Sequence, residues 1–174
     1  MIEGHLHVSG NPHDDIIKAL LHSPASMIEI RKGDLIKAAQ EENHPDVIVH
    51  GCNCFCTMGA GIAKQIASVF PEAYNADKAT IPGDRSKLGK YTKYTYANGL
   101  TVVNAYTQYA YGRGGRHFDY FAFERLIKQF NTDFPNLTVA MPWIGCGLAG
   151  GDKRKVFDIL EKNVKYFKCI IYEV

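Results

Sequence analysis

A chain of 174 residues, 46% hydrophobic and 22% charged, has the composition of one folded domain with its own core and not of a disordered segment. A formal charge of +2 is too small to demand a nucleic acid partner, and no run of about 18 apolar residues offers a membrane span. Five cysteines, an odd number, fit reduced thiols better than a disulfide framework, and Glu3, His5 and His7 do not read as the start of a signal peptide. The cytoplasm is therefore the expected compartment, with no membrane association.

Residues 1–26 read as an N-terminal extension, in which a short helix from Asp14 to Leu21 puts Ile16, Ile17, Leu20 and Leu21 on one face. The domain proper is expected over residues 27–174. Met27 to Ile30 alternates as a strand, and Lys32-Gly33-Asp34-Leu35 ends it and opens a helix through Gln40, with Asp34 placed to cap. Val47-Ile48-Val49 is a buried strand after the Pro45-Asp46 turn. The polar and small residues His50 to Cys56 follow it, and the turn Met58-Gly59-Ala60-Gly61-Ile62-Ala63 opens a helix from Ile62 to Phe70.

Pro71 stops that helix, and a second helical piece is expected from Glu72 to Thr80. Leu88 to Tyr96 alternates, Asn98-Gly99 is the strongest hairpin signal in the chain, and Leu100 to Tyr106 returns as a strand. The glycine-, tyrosine- and arginine-rich stretch Thr107 to Arg116 leads to an amphipathic helix from Asp119 to Phe130. Leu137 to Met141 is a buried strand, Pro142 to Asp152 a second glycine-rich loop, Lys155 to Lys165 a helix and Cys169 to Val174 a last strand. Strand and helix alternate through most of the length, which predicts an α/β class with a mixed sheet covered by helices on both faces.

Cys52, Cys54 and Cys56, with His50 and Cys146, invite comparison with a metal cluster. Their alternating spacing sends the three side chains to one face of an extended segment, whereas zinc knuckles use Cys-x-x-Cys turns with a second ligand pair. No metal and no cofactor are expected. The two glycine loops carry more. Each follows a buried strand and precedes a helix, and in an open α/β sheet ligands bind outside the carboxyl ends of the strands, where such loops meet. Backbone N–H groups at a helix N-terminus favour an anion, so a phosphate- or diphosphate-bearing ligand is the expectation. The first loop is neither a dinucleotide fingerprint nor a P-loop: Lys64 stands where the third small residue belongs, and no Gly-Lys-Ser/Thr closes the turn.

Lys32-Gly33-Asp34-Leu35, His50-Gly51-Cys52-Asn53-Cys54 with Met58 to Ala63, and Met141-Pro142-Trp143-Ile144-Gly145-Cys146-Gly147-Leu148-Ala149-Gly150-Gly151-Asp152 together resemble the macrodomain family. The likeness runs from Met27 to Val174. It is nearest to the branch holding the yeast-type ADP-ribose-1″-phosphate phosphatase and the terminal ADP-ribose protein glycohydrolase. The resemblance implies a three-layer α/β/α macrodomain that binds ADP-ribose. By it, Asp34 would accept from the adenine amino group, Leu35 would position it and Tyr172 would wall it. Gly59, Ala60, Gly61, Ile62 and Ala63 on one side, and Ile144, Gly145, Cys146, Gly147, Leu148, Ala149 and Gly150 on the other, would enclose the diphosphate.

Asn53 would approach the distal ribose, and Gln108 is a further expected ligand-binding residue. His50 matches a histidine of the phosphatase-like relatives and is the expected nucleophile or acid/base, with Asn53 beside it and Asp152 as a second acid/base. Gln108 stands where the glycohydrolase has its lysine, and an amide cannot form a Schiff base. The resemblance thus implies hydrolysis of ADP-ribose-1″-phosphate. The alternatives are removal of ADP-ribose from ADP-ribosylated macromolecules, protein or nucleic acid, and non-catalytic reading of ADP-ribose. The Tyr/Arg/Gly stretch 106–116 is a weaker suggestion of RNA binding.

Overall fold

The computed structural model describes residues 27–112 and 115–174, together with Asp14, Ile16 and Ile17 of the N-terminal segment. The helix expected from Asp14 to Leu21 otherwise lies outside the described residues. Six strands, β1 (Ile28–Lys32), β2 (Val47–Cys52), β3 (Tyr91–Thr95), β4 (Thr101–Tyr106), β5 (Thr138–Met141) and β6 (Lys168–Glu173), form one sheet in the order β1-β6-β5-β2-β4-β3. Every neighbouring pair is parallel except β3 with β4, which is the hairpin that Asn98-Gly99 announces.

Strand alternation divides the core in two. Val47 and Val49 of β2, Val103 and Ala105 of β4, and Val139 and Met141 of β5 point to one cluster. Ile48 and Cys52, Val102 and Tyr106, and Ala140 point to the other. The first cluster is closed by α4 (Tyr120–Asp133) through Phe123, Leu126, Ile127 and Phe130, and by α5 (Lys153–Asn163) through Val156, Phe157 and Leu160. Ile17 of the N-terminal segment is 2% exposed within this cluster. The second is closed by α1 (Leu35–Ala39), α2 (Gly61–Val69) and α3 (Pro71–Lys78). Helices on both faces of a mixed sheet give the three-layer α/β/α architecture.

Differences from the sequence expectation are local. The strand expected from Leu88 starts only at Tyr91, because Arg85–Lys87 is a 3-10 turn and Gly89 takes φ +79°. The helix expected from Lys155 starts at Lys153, since Asp152 caps it through bonds from Arg154 N and Lys155 N. Pro71 does not merely stop α2; it occupies the first turn of α3, where its missing N–H costs nothing.

One polar pair stitches the middle of the sheet. His50 on β2 is 1% exposed, and its Nε2 donates to Oδ1 of Asn104 on β4 at 2.7 Å. Asn104, itself wholly buried, donates through Nδ2 to Ala73 O of α3 and to Thr92 Oγ1 of β3. Asn104→Ala strips these bonds and leaves buried donors and acceptors unmet; equilibrium urea unfolding should show a loss of about 3 kcal/mol.

Burial holds the His50 imidazole neutral and lowers its pKa from the ordinary 6.5 to about 4, against the opposing effect of the bond to Asn104. The unfolded chain therefore binds a proton between pH 6.5 and pH 4 that the folded chain does not. His50's contribution to stability is complete above pH 6.5 and is lost as pH falls toward 4, by about 3 kcal/mol over that window. The buried Asp77 carboxyl, raised by burial, acts with the opposite sign. It is common to wild type and His50→Gln, so the wild-type-minus-variant difference in urea stability should slope through this window, and a flat difference would contradict the assignment.

Candidate functional site

Because β1, β6, β5, β2 and β4 run parallel, the loops leaving their carboxyl ends gather along one edge of the sheet. At the end of β1, Gly33 N donates to Glu173 O, and Asp34 Oδ1 accepts from Ile36 N and Lys37 N as the cap of α1. Leu35 behind it is buried. The Tyr172 ring lies 3.5 Å from the place a side chain on Gly33 would occupy, and Arg31 Nη1 donates to its hydroxyl. Tyr172 thus packs beneath the Gly33-Asp34 turn.

The loop after β2 is braced by one asparagine. Asn53 Oδ1 accepts from Phe55 N at 2.8 Å, while Nδ2 donates to Thr57 O and Thr57 Oγ1. Cys56, at φ +60°, anchors the loop to α3 through contacts to Asp77 O and Thr80 Oγ1, and the buried Lys87 ammonium reaches Cys56 Sγ and Thr80 Oγ1. Cys52 sits beside the His50 ring and Cys54 against Gln108 O, so each of the three thiols has its own polar partner. Burial pushes the Cys52 and Cys54 thiols up. Among the described residues no group of three or more His, Cys, Asp or Glu side chains is arranged to hold a metal ion.

Gly59-Ala60-Gly61 then turns into α2. Asp34, Asp119 and Asp152 cap α1, α4 and α5, whereas the capping position of α2 is Ala60, which offers no side-chain acceptor, and its first turn carries no acidic residue. A side chain added at Gly59 or Gly61 would meet nothing within 4 Å. The first-turn amides of α2, those of Gly61, Ile62 and Ala63, therefore lie at a positive helix end beside open space.

The second glycine loop, after β5, is held rigidly from below. Gly145 takes φ +76°, and a Cβ there would overlap the Phe118 ring at 2.5 Å or closer; one on Gly151 would meet Gly145 O. Ile144 is buried, Ala149 O accepts from the backbone N–H groups of His117 and Phe118, and the Tyr120 hydroxyl oxygen accepts from Asp152 N at 2.8 Å. Gly147 is open, and Leu148 is 79% exposed at the loop tip. The Cys146 thiol is pushed up to about 11, first by burial and then by Asp152, which does not suit a nucleophile near neutral pH.

The residues singled out in the sequence are thus distributed unequally. Asp34, Asn53, the Gly59–Ala63 turn, Gln108 and the Gly145–Gly150 loop all lie at the carboxyl edge of the sheet. His50 is placed apart from them, 1% exposed and bonded to Asn104 inside the core. Asp152 is exposed, but its Oδ1 is committed to capping α5. Gln108 turns its amide onto Ala110 O. Sequence reasoning missed Gly51, whose missing side chain makes room for Thr107 Oγ1 and Ile144. A separate hollow of about 260 Å³ lies against Tyr172, lined also by Arg31, His44, Asp46 and Lys168; Glu29 pairs with both Arg31 and Lys168, so it presents little net positive charge.

No protein-family model matches the chain. An uncharacterized 17.5 kDa protein from the tk-vs intergenic region of Enterobacteria phage T4 is 36% identical over 155 residues, covering 84% of this chain and 96% of that protein. Among solved structures, the macrodomain of Mycobacterium tuberculosis DarG is similar with a TM-score of 0.66 and 21% identity, over 86% of this chain and 99% of that one. A Trypanosoma brucei macrodomain in complex with ADP-ribose is similar with a TM-score of 0.58 and 14% identity, over 86% of this chain and 66% of that one. The chain therefore belongs to the family of the phage T4 protein, and the fold on which that family is built here is that of the macrodomains.

Proposed function

We propose that residues 27–174 bind ADP-ribose along the carboxyl edge of the sheet and hydrolyse ADP-ribose-1″-phosphate. The observation that carries the binding reading is the uncapped N-terminus of α2 beside the open Gly59-Ala60-Gly61 turn, facing the same edge as the rigid Gly145–Gly150 loop. Amides from both would surround a diphosphate, which supplies the anionic charge that no acidic side chain offers to α2. The similar Trypanosoma macrodomain, solved with ADP-ribose, supports the same ligand here. In this reading Asp34 keeps its cap through Oδ1 and accepts the adenine amino group through Oδ2. Tyr172 backs the turn that holds the adenine, and the distal ribose lies toward Asn53 and Gln108.

Hydrolysis is the finer half of the proposal. With His50 inside the core, its chemistry would fall to Asn53 as a positioning group and Asp152 as acid/base, which requires Asp152 to act through Oδ2 while Oδ1 holds the helix. Gln108 excludes a lysine-type attack on the sugar at that position. The second reading, a non-catalytic ADP-ribose reader, is favoured by two specific observations: the buried His50 ring and the commitment of Asp152 to its cap.

Calorimetric titration with ADP-ribose, followed by phosphate release from ADP-ribose-1″-phosphate, tests both halves. Binding is expected, with Asp34→Asn, which retains a capping side chain, weakening it about tenfold or more. Phosphate release that falls with Asp152→Asn at unchanged ADP-ribose affinity supports the phosphatase. Binding without release of phosphate assigns the reader, and absence of binding overturns the proposal as a whole.

A further inference from the structure

We propose that the neck of the loop between β4 and α4 is a ligand subsite, in which the Thr107 hydroxyl and the His117 imidazole meet the ribose hydroxyls beyond the diphosphate. The assignment rests on the ADP-ribose reading and adds two residues to it that neither the sequence motifs nor the likeness to macrodomains picks out.

The loop leaves the sheet at Thr107 and is drawn shut where it returns: Asp119 N donates to Thr107 O at 2.8 Å, and Gln108 pairs with Phe118 across the neck. Among the described residues three buried side-chain nitrogen or oxygen atoms have no hydrogen-bond partner in the protein, and two of them, Thr107 Oγ1 and His117 Nε2, belong to this neck. The third, Arg154 Nη1, belongs to a guanidinium whose Nε is already paired with Asp158. A buried polar atom without a partner costs stability, so two together call for a partner from outside the chain.

Their surroundings place them at the proposed cleft. Thr107 is fully buried just beyond β4, and a Cβ on Gly51 would stand 2.8 Å from its Oγ1 and 2.9 Å from Ile144 Cγ2, so only a glycine fits beside that hydroxyl near the end of β2. The backbone N–H of His117 is fixed to Ala149 O of the second glycine loop, which holds residue 117 beside the loop assigned to the diphosphate. Neighbouring charged groups are engaged elsewhere. Asp119 caps α4, Asp152 caps α5, and the Arg116 guanidinium lies over the Tyr120 ring at 4.7 Å. A hydroxyl both donates and accepts, and a neutral imidazole nitrogen does either according to tautomer; this pair matches sugar hydroxyls better than phosphate oxygens, which only accept.

The test is calorimetric titration of ADP-ribose and of ADP, which lacks the distal ribose, into wild type, Thr107→Val and His117→Met. Both variants remove an unmet buried polar group, so their unliganded melting temperatures should equal or exceed that of wild type. ADP-ribose affinity should fall about 5- to 10-fold in each, the worth of one hydrogen bond, with ADP affinity unchanged. In wild type labelled at histidine nitrogen, the His117 Nε2 resonance should move with ADP-ribose and stay with ADP. Folded variants that bind ADP-ribose as wild type does, or that lose ADP and ADP-ribose in parallel, overturn the subsite while leaving the ADP-ribose reading intact. Wild type that binds neither nucleotide overturns that reading itself.

Discussion

Parallel pairing of five strands is the constraint from which the rest follows. A parallel strand cannot return by a tight turn; it needs a crossover, and the crossovers here are the helices that bury both faces of the sheet. Once β1, β6, β5, β2 and β4 share one direction, the segments at their carboxyl ends must converge. Gly33-Asp34, Asn53 to Gly61, the neck formed by Thr107, Gln108, Phe118 and Asp119, and Pro142 to Asp152 come from distant parts of the chain and meet only because of that shared direction. The edge strand β3, antiparallel and half exposed, contributes nothing to this meeting.

Rigidity at the convergent edge comes from polar stitching placed under it. Asn53 folds its own turn, Lys87 and Asp77 tie the first loop to α3 and β4, and Phe118 fills the space that Gly145 and Gly151 leave vacant. The His50–Asn104 pair fits the same pattern. It sits below the loops and couples β2 to β4, α3 and β3, and so helps to hold the strand from which the first loop springs. Among the described residues, two of the three buried side-chain polar atoms without a partner, Thr107 Oγ1 and His117 Nε2, belong to the neck of the loop that follows β4.

Much of the fold was legible because its signals are local. Val47 to Val49 and Leu137 to Met141 read as buried strands from apolar runs, Asn98-Gly99 as a hairpin, Pro71 as a helix boundary and Asp119 as a cap, and each of these needs only its neighbours in sequence. Strand start and helix start were misread at Leu88 and Lys155, where alternation and apolar periodicity mislead: Gly89 breaks the strand by its backbone angle, and the first turn of α5, Lys153-Arg154-Lys155, is too polar to show a helical stripe. The converging glycine loops were legible as a pair. The burial of His50 was not, since its partner Asn104 lies 54 positions away, and nothing near His50 in sequence reveals that the strand's inner face carries an acceptor. Thr107 and His117 were hidden for the same reason, their significance depending on a neck closed by Asp119 and Phe118.

The central claim is that the amides of the two glycine loops jointly receive a diphosphate. Backbone amide spectra recorded during titration with ADP-ribose test it most directly, because they report on the N–H groups themselves. The account predicts that the amides of Gly59, Gly61, Ile62, Gly145 and Gly147 shift together along one saturable isotherm, while those of His44 and Lys168 in the hollow beside Tyr172 stay in place. Shifts confined to that hollow, or movement of one glycine loop without the other, would contradict it.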